Sequence, residues 1–142
     1  MKEGDEYVVK PRALRKALLE ELGKGDHVVV GHLIPDLLKD GELEFVAVLR
    51  LSPYELAKRY RERNYDELKC KENLTVEALD VILIKALRRF GRRRVAEIDT
   101  TGKSPKEVAE EVLKAYRGER RVGIVDWLSL IKDPEELKRL LI

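Results

Sequence analysis

The sequence predicts an α/β protein with a parallel sheet, and three observations carry that prediction. Short runs of β-branched residues alternate along the chain with amphipathic stretches at helical spacing. The runs His27-Val28-Val29-Val30-Gly31, Phe45-Val46-Ala47-Val48-Leu49 and Val95-Ala96-Glu97-Ile98 lack a regular polar alternation, as strands buried on both faces do. Ser-Pro-x-Glu boxes at Ser52 and Ser104 follow the second and third runs, each marking a helix start with Pro inside its first turn.

In chain order, Leu14, Ala17, Leu18 and Leu22 recur at helical spacing from Pro11 to Leu22, with Gly23 as the stop. The first strand, 27–31, follows, then a loop and the second strand at 45–49. Ser52-Pro53-Tyr54-Glu55 opens a helix expected to run through Arg63, where Asn64-Tyr65-Asp66 breaks it. A long helix is expected from Glu67 to Phe90, with Leu74, Ala78, Val81, Ile82 and Leu87 on its apolar side and Gly91 at its end. The third strand is 95–98, and the Ser104 box opens a helix that stops at Gly118. The tail closes with Val122-Gly123-Ile124-Val125-Asp126-Trp127 and a short helix capped by Asp133-Pro134.

Composition removes several classes of function. The 142 residues suit one domain, and no unbroken apolar run approaches the roughly 20 residues that span a bilayer. The first residues, Met1 to Glu6, carry charges of both signs with no apolar h-region after them, so no signal peptide is expected and the expected location is cytoplasmic. One Cys and two His are too few for a disulfide scaffold or a zinc ribbon, and no metal site is expected. The 29 basic and 27 acidic residues leave a net charge of +2, so any basic site must be local. Two Asn, no Gln and 39% charged residues resemble the usage of hyperthermophile proteins.

Ligands of open parallel sheets bind beyond the carboxyl ends of the strands. Here those ends carry Gly31-His32, Arg50-Leu51-Ser52 and Asp99-Thr100-Thr101-Gly102-Lys103. Thr101-Gly102-Lys103-Ser104 has the closing residues of a P-loop, but the second Gly such a loop needs five residues earlier is Glu97, and 1–22 offers only Gly4. The loop reads either as a helix N-terminus with a solvated Lys103 or as a nucleotide contact made by its amides and Lys103. His32 reads as structural, or as catalytic if Asp36, one helical turn on, is its partner. Arg59 and Arg63 are i,i+4 neighbours whose planar forks suit phosphate oxygens; the alternative is a solvated face paired with Glu62 and Glu67. Arg88-Arg89-Phe90-Gly91-Arg92-Arg93-Arg94 places five Arg in seven residues at a helix C-terminus, either answering the helix dipole or meeting phosphate or rRNA. Trp127 reads as core or cover.

The ordered set His27-Val28-Val29-Val30-Gly31-His32-Leu33, Val46 to Arg50 with Ser52-Pro53, Arg63-Asn64-Tyr65, Glu72-Asn73-Leu74 with Glu77 to Leu83, Glu97 to Pro105, and Val125-Asp126-Trp127 resembles the adenylate kinase isoenzyme six family. These are small P-loop kinases also known as ribosome-assembly ATPases. The resemblance implies an α/β, P-loop NMP-kinase-like parallel sheet flanked by helices, covering 1–142 as one domain. Residues 1–22 would be the remnant of the NMP-binding region and 62–72 the lid. It implies reversible phosphoryl transfer between ATP and AMP, with Mg2+ as cofactor, an additional ATPase activity, and a role in small ribosomal subunit maturation through a platform ribosomal protein and rRNA. Carried over by position, Arg63 is the lid Arg on the transferred phosphate, His32 lies in the Walker-B-like segment, and the Thr100 to Lys103 loop, with Thr101, Gly102 and Lys103, flanks the adenine; Arg59 joins the nucleotide-binding candidates through its spacing to Arg63.

The departures from the family are as specific. The first strand, the P-loop and the first helix of the family have no counterpart here, so the chain is expected to start inside the family's sequence. Val30 stands where relatives carry an acidic residue, Pro35 replaces the second His of a pair, and Asn64 replaces the Gly of an Arg-Gly-Tyr lid. These losses motivate the alternative of a catalytically impaired member serving as an assembly adaptor.

Overall fold

The computed structural model describes residues 9–133 together with Glu135, Glu136 and Arg139, and the backbone of two short strands, β1 (Lys2–Glu3) and β2 (Glu6–Tyr7). Side chains 1–8 of the expected 1–22 remnant, and Pro134 of the expected Asp133-Pro134 cap, lie outside the described residues. Beyond the β1–β2 hairpin the order is α1 (Pro11–Leu22), α2 (Ile34–Leu37), β3 (Val46–Arg50), α3 (Pro53–Glu62), α4 (Glu67–Ala78), α5 (Val81–Phe90), β4 (Val95–Asp99), α6 (Pro105–Tyr116) and α7 (Trp127–Leu130).

β3 and β4 pair in parallel, Val46 opposite Val95 through Arg50 opposite Asp99. Because side chains alternate across a strand, Val48 and Val95 face one way and Ala47, Ala96 and Ile98 the other. The first set packs with Leu38 and with Leu83, Ala86 and Phe90 of α5, and Leu18, Leu19 and Leu22 of α1 close over that cluster. The second set packs with Val108, Val112 and Ala115 of α6, with Phe45 at its edge. Helices therefore cover both faces of a small parallel sheet, as the alternating sequence predicts.

Two expected elements differ. Residues 27–31 form no strand: Val28 is 93% and Val30 90% exposed, and the stretch makes no backbone hydrogen bond to β3 or β4. A β-branched run supplies propensity but not a ladder partner, and without one it forms no strand. The expected long helix 67–90 is two helices, broken at Leu79 and at Asp80, whose φ of 56° is left-handed. Asp is among the few residues that tolerate this conformation, and the Arg50 guanidinium holds its carboxylate there. The break after α3 falls where it was expected, with Asn64 at φ 51° and the Asp66 carboxylate accepting the Lys69 amide at 3.1 Å to start α4.

Candidate functional site

Arg50, the last residue of β3, is 1% exposed and gathers three carboxylates. Nε donates to Glu77 at 2.8 Å, Nη1 to Glu97, and Nη2 to Asp80 and to the Glu77 carbonyl at 3.0 Å. Burial disfavours the guanidinium charge, but the Glu77 and Asp80 carboxylates outweigh it and hold the Arg50 pKa above its ordinary value. The other Glu97 oxygen accepts the Ile124 amide at 2.8 Å, and the Trp127 indole donates to Glu77 at 2.8 Å with its ring 6.0 Å from Arg50. This network ties β3, β4, the α4–α5 junction and the chain before α7 into one body. Sequence reading named these residues as motif pieces but not as a group. The available signal was an Arg and a Glu inside two apolar strand runs, since buried charges must be paired.

Immediately beyond Arg50, the expected capping box at Ser52 is not made: its side chain caps no amide. The Ser52 amide instead donates to Thr101 Oγ1 at 2.9 Å, and Glu55 turns away from the helix start. One Glu55 oxygen accepts the Gly102 amide at 3.2 Å while the other accepts the Arg59 guanidinium. The Ser104 box is complete, with the Ser104 amide donating to Glu107 at 2.7 Å and the Glu107 amide to Ser104 Oγ at 3.3 Å. The Ser104 hydroxyl, which also donates to Glu107 at 2.7 Å, and after it the Ser104 amide hold the Glu107 carboxyl below its usual range. Within the 101–103 loop, the Thr101 amide donates to Asp99 at 2.9 Å and Lys103 Nζ to Glu111. Gly102, at φ 68°, turns the chain where a side chain would be strained.

The structure thus brings Arg59, Thr101 and Gly102 to one place through Ser52 and Glu55. Arg63 lies one turn further on, as the C-cap of α3, its amide donating to the Arg59 and Tyr60 carbonyls at 3.2 Å each. Its side chain lines a cleft of about 480 Å³ with Asn64, Tyr65, Asp66, Lys69 and Asn73. Tyr60 and Tyr65 meet nearby with ring centres 5.2 Å apart and planes tilted by 51°, and burial raises the Tyr60 pKa. The pairing with Glu62 and Glu67 weighed for this face does not form, because Glu62 pairs with Lys58 and Glu67 with Lys71.

His32 is exposed on the turn before α2. Its proposed partner Asp36 is engaged elsewhere, accepting Lys85 Nζ at 3.0 Å, so no His32–Asp36 couple exists. Pro35 is buried at the α2 start, which fixes that turn and aims Asp36 at α5. Among the described residues no three His, Cys, Asp or Glu side chains converge on a metal position, and no helix is long and apolar enough to cross a membrane.

A parallel sheet with helices on both faces, and a polar loop and arginine-bearing turn beyond the strand ends, defines the α/β class whose ligands bind at that edge. No protein-family model matches the chain. Relatives do: a protein of Thermococcus kodakarensis named "putative adenylate kinase" is 45% identical over 130 residues, 89% of this chain and 69% of that one. Proteins of the same name from Pyrococcus furiosus and Thermococcus onnurineus are each 40% identical, over 92% and 87% of this chain and 70% and 66% of theirs. The chain belongs to this archaeal adenylate kinase family. It spans about two thirds of the length of these relatives.

Proposed function

We propose that the chain is an adenylate kinase of this family, handling ATP and AMP at the edge formed by the ends of β3 and β4 and the turn after α3. One observation carries the reading: Ser52 and Glu55 bring Arg59 and the Thr101–Gly102 loop together, with Arg63 one helical turn beyond. Phosphoryl transfer depends mainly on positioning and on neutralising charge in the transferred group. Arg63, exposed in its cleft and unpaired among the described residues, supplies a planar cation for phosphate oxygens. Arg59 adds a second once Glu55 releases it, and the same release frees the Gly102 amide for a nucleotide. Lys103 stands beside that loop. His32 would act, in this reading, without Asp36, which Lys85 holds. Mg2+ would come bound to the nucleotide phosphates, since it keeps several waters and needs few protein ligands. ATPase activity and action in small ribosomal subunit maturation, through a platform ribosomal protein and rRNA, follow from the resemblance of the motif order.

A second reading, a binding adaptor with impaired catalysis, is favoured by Glu55 and Glu111 occupying the donors a nucleotide would use. Calorimetric titration of the purified chain with ATP and AMP, followed by an assay of ADP formed from both, separates the two. Saturable ATP binding with ADP production supports the kinase, and absence of ATP binding supports the adaptor.

A further inference from the structure

The arginine run 88–94 has no part in the reaction above, and its members have unlike surroundings. Arg88 and Arg89 occupy the last turn of α5, where cations answer the helix dipole, and Arg89 also donates to the Leu38 carbonyl at 2.7 Å. That effect fades within the last turn, and Gly91 ends the helix before Arg92, Arg93 and Arg94. These three, with Arg120, line a cleft of about 510 Å³ whose acidic members are Asp40 and Glu44.

Two of the four arginines are fixed parts of the wall. Arg94 donates to the Leu43 carbonyl at 3.0 Å and pairs with Asp40 at 2.8 Å. Arg120 donates to the Arg93 and Ala115 carbonyls and lies 5.3 Å from the Phe45 ring centre. Both acids are also engaged, Asp40 by Arg94 and Glu44 by the Tyr116 hydroxyl at 3.3 Å. Arg92 and Arg93 remain exposed, with no side-chain partner among the described residues. Elsewhere much of the surface charge is paired, as in Lys16–Glu20, Lys24–Glu21 and Lys85–Asp36. Two arginines with free donors, both lining a concavity whose wall also holds Arg94 and Arg120, meet what phosphate recognition requires: planar bidentate donors and positive charge.

We propose that this cleft binds phosphate groups through Arg92 and Arg93, at a site separate from the Arg63 turn. Inorganic phosphate and the backbone of single-stranded RNA share this chemistry, and the experiment distinguishes them. The full chain, the R92A/R93A variant and an R12A/K16A variant with the same loss of charge on α1 are titrated with a labelled oligouridine at several salt concentrations. Inorganic phosphate is titrated separately, followed by NMR of the arginine Nε–H resonances.

If the source is RNA, R92A/R93A weakens oligouridine binding about tenfold or more. It also flattens the log–log salt slope by about 1.4, two single-strand phosphates at about 0.7 each, while R12A/K16A does neither. If the source is a small anion, phosphate shifts the Arg92 and Arg93 resonances and RNA binding is alike in all three proteins. The proposal is overturned if neither ligand distinguishes R92A/R93A, or if R12A/K16A weakens RNA binding as much. The side chains replaced are exposed, and circular dichroism checks that each variant is folded.

Discussion

Arg50 and Arg63 flank the same helix and meet opposite fates. Arg50 enters α3 from the sheet and is buried among three carboxylates and an indole. Arg63 leaves α3 into solvent and faces a cleft with two amides, a phenol, a Lys and one carboxylate, Asp66, around it. Both are arginines beside helix termini, and only burial and pairing tell them apart. A guanidinium with all its directions used holds a fold together, whereas one with donors left over is available to a ligand.

The widest separation between the two comes from removing each charge. Arg50→Met leaves Glu97 buried without its cation and is expected to cost about 3–5 kcal/mol of stability, read from urea unfolding. A loss below about 1 kcal/mol would mean that the network is hydrated and open in solution. Arg63→Ala should leave the unfolding midpoint nearly unchanged and lower kcat for ADP formation about 10²–10³-fold, the usual effect of removing a donor to developing charge. An equal loss in stability would erase the contrast between the two arginines.

The two Ser-Pro-x-Glu boxes sharpen the comparison at smaller scale. Ser104→Ala removes a working cap and should cost about 1 kcal/mol, while Ser52→Ala should cost less, because the Ser52 side chain caps nothing. Comparable losses in thermal unfolding would show that Ser52 is capped in solution after all.

The smallest effect concerns Arg15, whose side-chain hydrogen bonds, followed by the Lys39 amide, lower the Glu42 pKa from 4.5 to about 2. The sign follows from a carboxyl whose folded value is depressed: its contribution is complete above about pH 4.5 and is lost as pH falls towards 2. NMR titration of Glu42 should give a midpoint near 2, and Arg15→Ala should return it towards the ordinary carboxylate range.

Sequence reading reached α1, α6 with its capped start, the break at Asn64 to Asp66, and strands β3 and β4 to within a residue or two, because each carries its own local signal: periodicity, a cap or an apolar run. It failed where the decision lay with distant residues. The 27–31 run has the composition of a strand, but pairing is a property of two segments. Asp80 breaks the long helix where the cation of β3 holds its side chain. Glu55, in the right position for a box, is taken instead by Gly102 and Arg59. Arg59, Arg63 and the Thr101–Gly102 loop were legible as chemistry, whereas their assembly through Glu55 was not.

The indole donating to Glu77 has an optical consequence. Trp127 is the single tryptophan of the sequence and sits 5% exposed against the Arg50 group. Its emission therefore reports one place, the junction of β3, α4 and α7, without a label. A red shift on adding nucleotide would record water reaching that junction while the rest of the chain stayed folded.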